Sequence, residues 1–164
     1  TQIDSGPSGF IGPAPTFSFS SNEPGAAFEC RLDAGGWAAC ESPLNLTGLA
    51  AGPHSIEVRA KDGAGLIDET PASRQFTVDV SPPQLTITGP RVKRSNATFQ
   101  LAAADDESGI TKLECRLDGG AWVDCETKHT IRRLKSGRHE LMVRSWNGAG
   151  VSTSLVKKWK MRKR

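Results

Sequence analysis

The residues of this chain whose types could do chemistry are three histidines, four cysteines and one acidic run. His54 and His139 follow the turn residues Gly52-Pro53 and Gly137-Arg138 and open segments of alternating apolar residues, while His129 stands alone. Histidine titrates near neutrality and often serves as a general base. Here no second histidine or thiolate stands at metal-ligand spacing, so structural roles are expected for all three. Asp105-Asp106-Glu107-Ser108-Gly109 is the only acidic cluster. Consecutive loop carboxylates can hold calcium, but the spaced Asp/Asn ligands of a dedicated calcium loop are missing, and a solvated loop is expected. There is no Gly-x-Ser-x-Gly, no phosphate loop and no His-Glu-x-x-His. These observations predict a chain that is not an enzyme, with no catalytic residue, no cofactor and no metal.

The cysteines lie inside a stretch that occurs twice. Phe28-Glu29-Cys30-Arg31-Leu32-Asp33-Ala34-Gly35-Gly36-Trp37-Ala38-Ala39-Cys40 returns as Leu113-Glu114-Cys115-Arg116-Leu117-Asp118-Gly119-Gly120-Ala121-Trp122-Val123-Asp124-Cys125, 85 positions later. Each copy alternates like a half-buried strand and runs into an Asp/Gly-rich turn, the pattern of a hairpin. With Cys30 placed opposite Cys40, Leu32 faces Ala38 and Asp33 faces Trp37 around a short Ala34-Gly35-Gly36 loop, and opposed strand positions are close enough for a disulfide. Four cysteines allow three pairings. The spacing lacks Cys-x-x-Cys, so disulfides in an oxidising compartment are expected over zinc, and the hairpins favour Cys30 with Cys40 and Cys115 with Cys125. A closed loop of this size stabilises by about 2–3 kcal/mol on the loop-entropy model.

The elements that must position these residues also repeat. His54 maps on His139, Val58-Arg59 on Val143-Arg144, and Gly63-Ala64-Gly65 on Gly148-Ala149-Gly150, all at the offset of 85. Thr16-Phe17-Ser18-Phe19-Ser20 alternates cleanly. In His54 to Asp62, Ile56, Val58 and Ala60 point inward while Glu57, Arg59 and Lys61 point outward. A composition with 17 Gly, 10 Pro and no Tyr suits short strands joined by turns. Ser81-Pro82-Pro83 breaks the pattern, because two prolines cannot join a central ladder. The expectation is an all-β chain of two tandem immunoglobulin-like antiparallel β-sandwiches, residues 1–81 and 82–164, each with a local hairpin disulfide.

The pattern Phe28-Glu29-Cys30-x-Leu32-Asp33…Trp37…Cys40, then Leu49…Gly52-x-His54…Val58-Arg59-Ala60-x-Asp62-x-Ala64-Gly65, and Phe76-Thr77-Val78-Asp79 before Pro82-Pro83, resembles the immunoglobulin-like repeats of large secreted and cell-surface proteins, especially bacterial ones. The resemblance covers nearly the whole chain and implies that fold and an extracellular setting. Such repeats serve as stalks, spacers and adhesion modules. The second copy departs from the pattern: Leu113 replaces the aromatic, Trp146 takes the place of Lys61, and the end is more basic.

Charge is divided unevenly. Residues 1–81 hold 4 Lys/Arg and 10 Asp/Glu, a net of −6; the chain totals of 21 and 18 leave 17 and 8 for residues 82–164, a net of +9. Such asymmetry can orient neighbours head to tail or draw polyanions to the second half. By alternation Met142, Arg144 and Trp146 share an outward face, and an outward indole suggests a contact surface. Arg31 with Trp37, and Arg116 with Trp122, read as guanidinium groups covering indoles. Arg132, Arg133, Lys135 and Arg138, with Arg91, Lys93 and Arg94, form further basic clusters. Lys158 and Lys160 should project from a final strand in which Trp159 and Met161 point inward, as Phe76 and Val78 do in the first half. Asn45-Leu46-Thr47 and Asn96-Ala97-Thr98 are glycosylation acceptors if the source is eukaryotic.

No run approaches a membrane span, and residues 1–20 lack the plan of a signal peptide, so the chain reads as an excised ectodomain. The functional expectation is a non-enzymatic extracellular structural or adhesion module that mediates spacing or protein–protein contact at a cell surface. The alternative is a polyanion- or glycan-binding module acting through the basic second half. Expected partners are other extracellular domains or surface glycans, including an anionic polysaccharide, and no specific nucleic acid.

Overall fold

The computed structural model describes residues 1–162, and its contacts divide the chain into two compact units, Thr1–Val80 and Ser81–Arg164. In the first, β1 (Gln2–Ser5), β3 (Thr16–Ser20) and β6 (Leu44–Asn45) make one sheet in the order β1-β3-β6. The other has the order β2-β8-β7-β4-β5, from β2 (Gly9–Ile11), β4 (Ala27–Leu32), β5 (Ala38–Cys40), β7 (Gly52–Lys61) and β8 (Ala72–Val78). The alternation of Thr16 to Ser20 buries Phe17 and Phe19, and that of β7 buries Ile56, Val58 and Ala60. Together with Cys30, Phe76 and Val78 most of these side chains form the core between the sheets.

The second unit repeats this plan. β9 (Gln84–Lys93), β10 (Asn96–Ala104) and β13 (Lys128–Ile131) pair in the order β13-β10-β9, and β11 (Ile110–Leu117), β12 (Val123–Asp124), β14 (Gly137–Asn147) and β15 (Ser152–Met161) in the order β12-β11-β14-β15. Phe99, Leu101, Cys115, Leu141 and Val143 fill its core. Trp159 lies edge-on to Phe99 at 5.0 Å, where the first unit sets Phe76 against Phe17 at 5.3 Å. The chain is all-β, two immunoglobulin-like sandwiches with one disulfide in each, and among the described residues no helix is long and apolar enough to cross a membrane.

Both bridges are local: Cys30–Cys40, with Cα atoms 5.8 Å apart, and Cys115–Cys125, at 5.7 Å. The hairpin register differs from the expected one. Cys30 faces Ala38 and Phe28 faces Cys40, so the bridge runs diagonally to the strand position two residues on, and Cys115 likewise faces Val123. The turn causes this shift. Asp33 and Ala34 take positive φ, and the Gly35 N–H donates to the Leu32 carbonyl, as Gly120 does to Leu117. The strands then join through the whole of Asp33 to Trp37 rather than a three-residue loop, which removes Trp37 from the ladder and lays it over the outer face.

The units differ at one edge. Gly6 and Pro7 break the first strand, so its second piece, β2, crosses to pair in parallel with β8. β9 also holds a Gly-Pro step, Gly89-Pro90, but there the ladder only shifts register between Thr98 and Gln100 and the strand stays with β10, leaving β15 as the last strand of its sheet. Exposed Lys158 and Lys160 line this edge strand, a charge placement that discourages strand-to-strand aggregation.

Candidate functional site

The geometry closest to a catalytic dyad occurs once in each unit. His54 Nδ1 lies 2.6 Å from Asp33 Oδ2, and His139 Nδ1 lies 2.7 Å from Asp118 Oδ2. The other carboxylate oxygen accepts the N–H of the residue after the histidine, Ser55 or Glu140, at 2.8 Å. Each Nε2 faces a backbone carbonyl at 2.9 Å, Ala50 or Lys135. Both ring nitrogens therefore meet acceptors, and only the imidazolium can donate to both. The carbonyl first, and then the aspartate, raise the histidine pKa. Burial works against the Asp33 and Asp118 carboxylates, but their hydrogen bonds outweigh it and hold them below the usual range. A general base needs an open nitrogen, and here neither is open. The arrangement instead clamps the β4–β5 turn to the start of β7, and the β11–β12 turn to the start of β14.

His129 and the acidic run are also built into the fold. A His129 ring nitrogen lies within 4.8 Å of the Cys115 and Cys125 sulfurs, but those sulfurs are bonded to each other and offer no thiolate. Burial lowers the His129 pKa, with Glu126 acting in the opposite direction. Asp105 departs from the expected solvated loop. Half-buried, it accepts the N–H groups of Glu107 and Ser108 and the Asn147 amide at 3.1 Å, and these bonds, led by Ser108, hold its pKa low. Asp106 and Glu107 are exposed. Asn147 stands where the first unit has Asp62: each accepts two turn N–H groups, Ala149 and Val151 or Ala64 and Leu66. The buried amide can also donate, to Asp105 and to the Ser81 carbonyl at 2.9 Å, which an aspartate could not.

The outer face of the four-stranded sheet carries an alternating stack of cations and indoles. Arg144 lies 3.8 Å from the Trp122 ring and 4.5 Å from Trp146, while Arg116 covers Trp122 at 4.8 Å. Arg144 also bonds Glu114 at 2.8 Å, and Arg116 approaches the Met142 sulfur at 3.4 Å. Trp146 is half-buried in this stack and is not the free indole that alternation suggested. In the first unit Arg31 and Arg59 flank Trp37 at 4.6 and 4.1 Å and pair with Glu57 and Glu29.

The sequence-predicted basic residues gather at one end of the second unit. Arg138 faces Lys160 across the β14–β15 ladder, next to Glu140 facing Lys158, whose ammonium lies 3.1 Å from the Glu140 carboxylate. Lys135 lines a groove with Arg94, Arg162, Leu134 and Met161. Arg132 and Arg133 are exposed in the same β13–β14 connection, and the Arg133 N–H donates to Asn96. The acceptor asparagines have structural partners as well: Asn45 accepts the Thr16 hydroxyl at 2.6 Å. The sequence missed the aspartate partners of the two histidines. The available signal was that Asp33 and Asp118 share the offset of 85.

No protein-family model and no curated protein matches the sequence. Among solved structures, fibronectin(III)-like modules of Clostridium thermocellum CbhA superpose with a TM-score of 0.62 at 19% identity, covering 98% of this chain and 93% of theirs. The likeness is one of fold. A Ca2+-stabilized adhesin that helps an Antarctic bacterium bind ice superposes at 0.45 with 11% identity, over 91% of this chain and 43% of that one.

Proposed function

We propose that this chain is a pair of immunoglobulin-like repeats from a secreted or cell-surface protein, acting as a non-enzymatic structural or adhesion module that spaces or contacts other extracellular domains. The observation that carries this reading is the double occupation of His54 and His139: each is fixed between a carboxylate and a carbonyl, with no open nitrogen. The two disulfides suit an oxidising, extracellular setting. A panel of chromogenic ester, amide, glycoside and phosphate substrates tests it. The expected rates match buffer and are unchanged in His54→Ala and His139→Ala; turnover lost in either variant would overturn the reading.

The grouping of Arg94, Lys135 and Arg162 around one groove, near Arg138 and Lys160, favours a second reading, capture of an anionic polysaccharide. Heparin chromatography of the whole chain tests it. Retention that salt reverses, weakened in Arg94→Glu/Lys135→Glu, supports it, because counterion release dominates such contacts. Flow-through at physiological salt contradicts it.

A further inference from the structure

The first unit carries an exposed apolar apex that has no counterpart in the second. Between β7 and β8 the chain runs from Asp62 to Pro71, whereas the equivalent β14–β15 turn needs only Gly148 to Val151. The longer connection holds Leu66, 71% exposed, and Ile67, 39% exposed. It is an ordered projection. The Leu66 N–H donates to the Asp62 carboxylate at 2.8 Å, the Leu66 carbonyl accepts the Asp62 N–H at 2.9 Å, and the Asp68 N–H donates to Ala60. Glu23, Asp62 and Asp68 lie in the same concavity; the Thr1 ammonium pairs with Asp68 at 2.8 Å, so the negative charge of the rim is that of Glu23, Asp62 and the exposed Glu69 that follows in sequence. A leucine so exposed and so firmly held by its backbone has the form of a docking residue.

The second unit offers a surface of opposite character. Leu134 and Met161 line a groove beside Arg94, Lys135 and Arg162, and none of these three cations is ion-paired among the described residues. The Leu134 N–H donates to the Ser95 carbonyl, joining the two turns that form the groove. This end of the unit is opposite the one where Ser81 enters, and the acidic apex lies at the end of the first unit opposite its exit at Val80.

We infer that copies of this chain associate head to tail, the Leu66–Ile67 apex of one docking in the Leu134/Met161 groove of the next. The charge division argues for a second copy as the occupant: an acidic rim on a unit of net −6 meets a basic rim on a unit of net +9. The two surfaces differ, so the contact is heterologous, and an open chain of copies keeps one free apex and one free groove after each addition. This inference rests on the reading of the chain as a contact module and names its partner.

Sedimentation velocity of the whole chain, with concentration and salt varied, tests it. The expected mass grows past a dimer with concentration and falls as salt rises from about 0.05 M to about 0.5 M. Leu66→Lys removes the apex and keeps the groove; Arg94→Glu/Lys135→Glu does the reverse. Each variant should be monomeric alone, with an unchanged thermal transition because the substituted positions are exposed. An equimolar mixture should form dimers and nothing larger. A wild-type chain that stays monomeric, a wild type that stops at a dimer, or a mixture that stays monomeric would overturn the inference. Heparin retention without self-association would assign the groove to a polysaccharide, and the substrate panel would stand unaffected in every case.

Discussion

At the scale of the residue, the clamp histidines set a pH window. Their folded pKa is raised above the ordinary 6.5, so their contribution is complete below that value and is lost as pH rises through the folded pKa. Asp33 and Asp118 have lowered folded pKa values, so their contribution is complete above the ordinary 3.8 and is lost on acidification. The clamps therefore contribute most at about pH 5–6, each about 1 kcal/mol or less because the carboxylates are partly exposed, while in the second unit the lowered His129 pKa acts the other way below pH 6.5. Thermal melts from pH 4 to 9 check this: His54→Ala should flatten the alkaline decline of one transition, and an unchanged slope would contradict the clamp. Arg144→Met keeps the apolar stem and removes the guanidinium from between Trp122 and Trp146. Two cation–π contacts at about 0.5–1 kcal/mol each, together with the lost ion pair to the nearly buried Glu114, predict a loss of several degrees in the second unit's transition by calorimetry. The cover of Trp37 by Arg31 and of Trp122 by Arg116 was legible in sequence; the histidine–aspartate pairs and the place of Arg144 between two indoles were not. Alternation places Arg144 and Trp146 on one face, but the indole of Trp122 arrives there only through the longer turn.

At the scale of the element, the strands were legible because inward and outward residues alternate so regularly in β3, β7 and β14. The hairpin register was not. Its shift depends on positive φ at Asp33 and Ala34, a backbone state that Asp tolerates and that alanine does not announce. The crossing of β2 to β8 was half legible, in the Gly6-Pro7 break, but nothing in Gln84 to Lys93 announces the absence of such a crossing. Phe99 is fully buried against Trp159, so Phe99→Ala should cost about 3–5 kcal/mol in denaturant unfolding. A Cβ on Gly148 would lie 2.5 Å from the Ser108 carbonyl oxygen, so Gly148→Ala should also lower stability, since a backbone atom cannot swing aside. A Gly148→Ala chain as stable as wild type would show that the turn does not pack on Ser108.

At the scale of the whole molecule, each unit has its own core, clamp and staple. The 85-residue offset made the two-part plan visible in sequence, and the charge totals made the polarity visible. The sequence did not reveal where the basic residues meet, because Arg94, Lys135 and Arg162 come from three separate segments. If the chain is a spacer of two self-contained modules, residues 82–164 should fold without residues 1–81. Single-molecule extension of the intact chain tests this most directly. Two separate unfolding events are predicted, and because each bridge closes 10 positions across a Cα–Cα distance of 5.8 or 5.7 Å, reduction should lengthen each event by about 30 Å at full extension. A single event for the whole chain, or a gain in only one event, would contradict two independently stapled modules.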